Sequence, residues 1–470
     1  MGLLALMLLT PVLFAVGYDE GGRTIAAYGG SALAAAVCAV GLFVLGRGAT
    51  SELHRKDALG TVALTWLGLG VFGGLPFLIE GSIPNVPGAL FEAVSGFTTT
   101  GATVVGDVDN LSMATNFWRC FMHWIGGMGI VVLFVAIFPQ LGVSAKQLFK
   151  SEAPGPVTEG LRPRIKQTAF TLWLIYTALT VLCMLLLWLA GMSPYDALAH
   201  AMSTLGTGGF STRGASIAFY KSALIDWILI VFMLIAALNF GLYYSAMLGN
   251  WREIVRNSEV RFYLMLNLVV TGVVTLCILP RHDGVLESVR YAAFQVLAVT
   301  TTTGFATEDF DTYPNIARYT LFLCMFIGGC AGSTAGGMKG IRALVLMKLA
   351  LRELRLVLQP NELVPVRVGR SVYGEAVLHG ILVFSVTFLL LWAVGSLGLV
   401  ALGLDLDSAM SATIACLASV GPGLGDVGPS RNFGFVPGAG KLMLCVLMIA
   451  GRLEIFALFA VLHPNCWRRG

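Results

Sequence analysis

The chain has 470 residues, of which 57% are hydrophobic and only 12% charged, with a formal net charge of +4. A water-soluble domain carries roughly twice that share of charge, so the composition excludes one and points to an all-α polytopic membrane protein. Nine cysteines lie mostly within apolar stretches and form no CxxC pair; they read as small core residues rather than disulfide or metal ligands.

The first apolar segment, 3–16, is short and has no basic residue before it. Phe14-Ala15-Val16-Gly17 makes a poor small-x-small cleavage site, so the segment reads as a membrane helix rather than a signal peptide. Further apolar stretches follow near 25–46, 58–79, 118–138, 168–192, 224–247, 262–280, 318–350, 374–402 and 439–462, which with the first makes ten spans. Between them sit shorter apolar segments near 87–97, 194–204, 287–299 and 407–417. These are too short to cross a bilayer and read as re-entrant half-helices.

Each half-helix runs into a small polar phrase: Gly96-Phe97-Thr98-Thr99-Thr100-Gly101, Thr204-Leu205-Gly206-Thr207-Gly208-Gly209, Thr300-Thr301-Thr302-Thr303-Gly304-Phe305 and Leu417-Ala418-Ser419-Val420-Gly421-Pro422. Glycine lets a backbone turn its carbonyls toward an axis, where oxygens can replace the water of a dehydrated cation. One such step means nothing; four imply a pore with pseudo-fourfold symmetry. The candidate ion-contacting residues are Thr99, Thr100, Gly101, Thr207, Gly208, Thr302, Thr303, Gly304, Val420 and Gly421, through backbone carbonyls. The alternative, that these glycines only pack spans closely, suits glycines inside helices. These lie where half-helices end.

The predicted unit is helix, pore loop, helix, in tandem over 51–145, 160–248, 258–358 and 371–465, after two N-terminal helices in 1–50. The third unit ends in a broken helix. Its break, Gly328-Gly329-Cys330-Ala331-Gly332-Ser333-Thr334-Ala335-Gly336-Gly337-Met338-Lys339-Gly340, holds six glycines in thirteen positions and cannot stay helical. Non-helical backbone at that depth lines a cavity, so Gly332, Gly336 and Gly337 are candidate gating residues. The stretch nearly matches a phosphate-binding P-loop, but Met338 separates Gly337 from Lys339 and no βα unit surrounds it. Arg452, inside the last span, is the candidate barrier charge, since a central charge needs a purpose or a partner. Glu454, two positions on, faces elsewhere on a helix and is not that partner.

Charge orients the assembly. The loops 47–57, 139–167, 245–262 and 339–370, the C-terminal tail and Glu375 together hold twenty Lys/Arg against nine acids, a net +11. The opposite face holds nine against sixteen, a net −7, and Arg452 and Glu454 cancel. The positive-inside rule puts both termini in the cytoplasm and the four phrases near the outer face. The basic run from Lys339 to Arg370 offers a surface to anionic lipid or a cytosolic protein; no nucleic-acid partner is expected. Gly423-Leu424-Gly425-Asp426 and Tyr195-Asp196 match intramembrane aspartyl protease elements, yet both aspartates read as outer-face residues. His123 and His200, beside spans on that face, read as buried or interfacial hydrogen-bonding groups. No catalytic motif survives, and no organic cofactor is expected.

These motifs resemble the Trk/Ktr/HKT superfamily of potassium transporters, most closely its bacterial TrkH branch. The resemblance rests on Ala93-Val94-Ser95-Gly96-Phe97-Thr98-Thr99-Thr100-Gly101-Ala102-Thr103, Trp124-Ile125-Gly126-Gly127-Met128-Gly129, Glu152-Ala153-Pro154-Gly155-Pro156, Thr207-Gly208-Gly209-Phe210-Ser211-Thr212, Ala331-Gly332-Ser333-Thr334-Ala335-Gly336-Gly337 and Gly421-Pro422-Gly423-Leu424-Gly425. It implies uptake of K⁺ through a filter gated by an intramembrane loop and an arginine, in the bacterial inner membrane. It also implies a homodimer and a cytosolic RCK-type nucleotide-binding regulatory subunit (TrkA-like). Gly101 matches the potassium-selective members, Arg452 their gating arginine and residues 328–340 their intramembrane loop. The fourth phrase, Ser419-Val420-Gly421-Pro422, departs from the family's Asn-Leu-Gly-Pro. The competing expectations are a weakly selective K⁺/Na⁺ transporter, H⁺- or Na⁺-coupled, and an alternating-access carrier.

Overall fold

Apolar composition and glycine placement divide the chain into long spans and short half-helices, and a computed structural model describes residues 1–47, 55–136, 161–369, 371–455 and 458–459. The Glu152–Pro156 motif, Cys466 and the basic C-terminal tail lie outside the described residues. The chain opens with α1 (Gly2–Leu8) and α2 (Thr10–Gly17). A single helix was expected over 3–16; Pro11 at the start of α2 lacks the N–H that would continue α1, so the chain bends there. Next comes α3 (Gly22–Leu45), a full-length apolar helix.

The first repeat consists of α4 (Arg55–Glu80), α5 (Val86–Phe97) and α6 (Met113–Ala136). The second consists of α7 (Leu161–Leu189), α8 (Pro194–Gly206), α9 (Ala223–Ala236) and α10 (Phe240–Met247). After the short α11 (Arg252–Arg256), the third has α12 (Ser258–Ile278), α13 (Val285–Thr300), α14 (Asn315–Cys324) and α15 (Gly340–Leu358). A two-stranded hairpin of β1 (Arg367–Val368) and β2 (Ser371–Val372) leads to the fourth: α16 (Glu375–Ala401), α17 (Leu406–Leu417) and α18 (Gly438–Arg452). In every repeat the half-helix packs against the long helix before it.

The half-helices α5, α8, α13 and α17 fall where the apolar patterning put them. Three start on a side-chain cap: Asn85 Oδ1 accepts from the Gly88 N–H (2.7 Å), Ser193 Oγ from Asp196 (3.0 Å) and Asp405 Oδ2 from Ser408 (3.0 Å). Such caps let a helix begin abruptly in a tight turn.

Two spans read as continuous are broken. The segment 224–247 bends by 89° between α9 and α10. Asn239 starts the second piece by accepting the Gly241 N–H, and the Ala237 carbonyl left free by the break accepts from Cys330 (2.9 Å). The helix of the last span ends at Arg452, because Glu454 and Ile455 adopt φ of 60° and 56°. Arg452 therefore ends a helix rather than sitting in the middle of one. The interruption expected in the third repeat is present between α14 and α15.

Candidate ion pathway

All four half-helices end in the same turn. A residue at the C-cap or just after it is left-handed: Thr99 (φ 54°), Thr207 (53°), Thr302 (57°) and Ser419 (58°). The following N–H reaches back five residues, from Thr100 to Ser95 O (2.8 Å), Gly208 to Ser203 O (2.9 Å), Thr303 to Ala298 O (2.9 Å) and Val420 to Ala415 O (2.8 Å). This Schellman geometry usually puts glycine in the left-handed position. A non-glycine residue there costs about 1–2 kcal/mol. Carrying that cost in all four repeats marks a functional site rather than an accident of packing.

Two residues beyond each left-handed Thr or Ser the chain is left-handed again, at Gly101, Gly209, Gly304 and Gly421. These glycines pack in a closed circuit. A Cβ on Gly101 would meet the carbonyl oxygen of Gly208, on Gly209 that of Thr303, on Gly304 that of Val420, and on Gly421 that of Thr100. The contacts run from repeat 1 to 2, 2 to 3, 3 to 4 and 4 back to 1. Among the described residues, no backbone N–H is donated to any carbonyl of the four three-residue turns. Buried carbonyls left unpaired cost about 1–3 kcal/mol each, and a ring of them is what a dehydrated cation needs. The same four glycines line one funnel of about 130 Å³.

The circuit corrects the register of the second repeat. Gly208, expected to match Gly101, occupies the position of Thr100, and Gly209 is the left-handed glycine. Ser419, which the sequence reading passed over for Val420, stands with Thr99, Thr207 and Thr302. Thr99, Thr100, Gly101, Thr302, Thr303, Gly304, Val420 and Gly421 lie within the four turns.

Beneath the turns lies the irregular segment between α14 and α15. The Gly336 N–H donates to Thr302 Oγ1 (2.7 Å), and a Cβ on Gly336 would strike the Ala418 carbonyl and sit 2.9 Å from Ser419 Cβ. Gly328, Gly332 and Gly337 have φ of 72°, 71° and 77°, conformations that favour glycine. The segment is tied into the break in the second repeat by Phe240 N to Gly332 O (3.0 Å) and Thr334 Oγ1 to Ala236 O (3.0 Å). One oxygen of buried Glu259 on α12 accepts from both Ala331 (2.8 Å) and Ile341 (3.0 Å), gripping the segment at both ends.

Arg452 is 3% exposed. Its terminal nitrogens donate to the Thr334 carbonyl (2.8 Å) in that segment and to the Gly126 carbonyl (3.3 Å) on α6, while Nε is buried without a partner among the described residues. Gly126 itself packs against the Phe97 carbonyl and Thr99 Cγ2, at the base of the first turn. The arginine thus stays under the ring instead of snorkelling to an interface. Glu454 pairs with Arg342, not with Arg452.

On the funnel side, His123 and His200 are fully buried and hydrogen-bonded to Ser203 and Ser211 respectively. Asp196 bonds Thr212 (2.6 Å) and Arg213 (2.9 Å), and half-exposed Asp426 pairs with Arg431. Neither aspartate faces the other as a protease dyad would. The eight described cysteines are free thiols.

Residues 31–466 match the family described as TrkH, cation transport protein. The chain is 42% identical over 429 residues to the Trk system potassium uptake protein TrkH of Vibrio parahaemolyticus, covering 89% of this chain and 87% of that one. Against the protein of the same name from Escherichia coli K12 it is 40% identical over 423 residues, covering 89% and 87%. Its fold superposes on the crystal structure of the potassium transporter TrkH from Vibrio parahaemolyticus with a TM-score of 0.90 and 38% identity, over 99% of this chain and 97% of that one. A matching family that spans most of the chain, a shared fold and a four-repeat ring of turned carbonyls agree: the chain is a multi-pass membrane protein that belongs to the TrkH family of cation transport proteins.

Proposed function

We propose that this chain takes up K⁺ across the bacterial cytoplasmic membrane, with the four turns as its selectivity filter and the segment 328–340 and Arg452 as its gate. The closed circuit of uncommitted carbonyls carries this reading. Neutral oxygens held at fixed spacing discriminate ions by the cost of replacing their hydration shells. The Vibrio and Escherichia relatives are named as potassium uptake proteins, and Gly101 keeps the first turn free of a side chain. A guanidinium under such a ring opposes a descending cation electrostatically, and the glycine-rich segment beside it has the conformational freedom to move.

A homodimer bearing a cytosolic RCK-type regulatory subunit is the working assembly. The relatives' names place them in a Trk system, and the face with a net charge of +11 is the docking side. Both termini lie on that side.

The test is radiolabelled Rb⁺ uptake by the purified protein in liposomes, competed by K⁺, Na⁺ and Li⁺. Block by K⁺ far exceeding block by Na⁺ is expected. Equal block by both would refute potassium selectivity. No uptake by either the wild type or Arg452→Ala would refute conduction through this ring.

A further inference from the structure

Each half-helix carries a buried polar side chain, nine or ten residues before its left-handed glycine, that reaches across to the chain leaving the ring. In repeat 1 it is Glu92, whose carboxylate accepts from Thr103 Oγ1 (2.9 Å) and from the Val104 N–H (2.9 Å). In repeat 2 it is His200, bonded through Nε2 to Ser211 Oγ (2.8 Å). In repeat 3 it is Gln295, whose Nε2 donates to Thr307 Oγ1 (3.2 Å) and the Glu308 carbonyl (3.2 Å). In repeat 4 it is Ser411, whose Oγ donates to the Leu424 carbonyl (2.9 Å) and accepts the Leu424 N–H (2.9 Å). All four side chains are fully buried. Three different chemistries at one register, with Ser411 one residue earlier in the fourth repeat, all making one kind of contact, indicate a shared task.

Repeat 1 goes further. Arg119 on α6, 1% exposed, donates from Nε to Glu92 (2.8 Å) and from its other nitrogens to Thr103 Oγ1 (3.1 Å), Asn116 Oδ1 (3.1 Å) and the Ser211 carbonyl (3.3 Å) of repeat 2. Its guanidinium also lies over the Phe210 ring, 4.2 Å from the centroid. A buried ion pair recovers its desolvation cost only with excellent geometry and further hydrogen bonds, and it contributes conformational specificity more readily than stability. Here the pair fixes the chain just beyond Gly101 relative to the chain just beyond Gly209. The Thr103–Glu92–Arg119–Ser211 path makes it a strut between two neighbouring turns.

We infer that Glu92 and Arg119, with His200, Gln295 and Ser411 in the other repeats, are positioning residues that hold the ring's carbonyls at the spacing that separates K⁺ from Na⁺, without touching the ion themselves. The inference rests on the reading of the ring as a filter. Neutralising one partner lets the exit limb relax, and the ring then accommodates the smaller ion.

The experiment compares the ratio of K⁺ to Na⁺ inhibition of Rb⁺ uptake in liposomes for the wild type, Gly101→Ser, Glu92→Gln, Glu92→Asp, the charge-free double variant Glu92→Gln with Arg119→Gln, and Gln295→Met. Gln295→Met carries no buried charge and decides the matter if the Glu92 variants do not fold. The expected result is a ratio lowered about tenfold (about 1.4 kcal/mol) in Glu92→Gln or Gln295→Met, with Glu92→Asp recovering part of it. A role confined to stability would lower the yield of folded protein and leave the ratio alone. An unchanged ratio in the brace variants, with Gly101→Ser lowering it, overturns the positioning role. An unchanged ratio in Gly101→Ser itself overturns the filter reading on which that role stands.

Discussion

At the ring, four repeats contribute the same turn, with the same left-handed pair of residues and the same contact to the next repeat. One layer below, each repeat contributes something different. Repeat 1 gives the Gly126 carbonyl, repeat 2 a broken helix, repeat 3 the glycine-rich segment and repeat 4 a single arginine. Ion selection asks for equivalent oxygens around an axis, so substitutions that break equivalence there are costly. A gate asks only that something move across the axis, and one segment with one charge suffices. On the function proposed above, symmetry is kept where the ion would be dehydrated and abandoned where the path would be controlled.

The sharpest way to break this contrast is at the two glycines of repeat 2. A Cβ on Gly209 meets the backbone carbonyl of Thr303, whereas one on Gly208 meets the imidazole of His123. Gly209→Ala should abolish Rb⁺ uptake, with an overpacking cost of about 1–3 kcal/mol, and no side-chain truncation should rescue it. Gly208→Ala should fail alone yet regain uptake when combined with His123→Ala, which clears the space. Rescue of both, or of neither, would place the equivalent position elsewhere. Next in size, Arg452→Ala removes the charge beneath the ring. Flux should rise on the order of tenfold, the effect of about 1.4 kcal/mol off a barrier; unchanged or lower flux at equal surface expression would contradict the barrier role.

A smaller effect tests the strain carried by the turns. Thr99→Gly relieves a left-handed β-branched residue whose hydroxyl has no partner among the described residues. After the entropy cost of a glycine, stability should rise by about 0.5–1 kcal/mol, seen as a higher melting temperature in detergent, while K⁺ over Na⁺ preference falls. The smallest concerns the N-terminal end of α17. Backbone N–H groups around Ser408 hold the Asp405 carboxyl below its ordinary range. Its capping contribution is therefore present above the ordinary carboxylate pKa and is lost as pH falls through the lowered one. Asp405→Asn should flatten the acid limb of a melting-temperature profile; an unaltered limb would show that the cap is energetically silent.

Much of this was legible in the residues. Half-helix limits followed from apolar run length, and the irregular segment from its glycines. The break between α9 and α10 was not, because the chain is apolar from Trp227 to Leu238 and only Asn239 hints at a new helix start. The register of the second turn was ambiguous for a physical reason: Thr207-Gly208-Gly209 offers two glycines, and only the backbone angles show which one is left-handed. Glu92, Gln295 and Ser411 went unremarked because single polar residues in apolar half-helices carry no local motif. Aligning the repeats on the correct glycine brings Glu92, His200 and Gln295 into register, with Ser411 one residue away.

The contact that closes the ring, Gly421 against Thr100, joins the last repeat to the first. Arg452 belongs to that same last repeat and reaches back to Gly126 in the first. During synthesis, a chain lacking its fourth repeat has an open arc instead of a conduit. On the proposed reading, the segment whose arrival completes the conduit also delivers the charge that would obstruct it, so an unfinished molecule would have no opportunity to leak ions across the membrane that is building it.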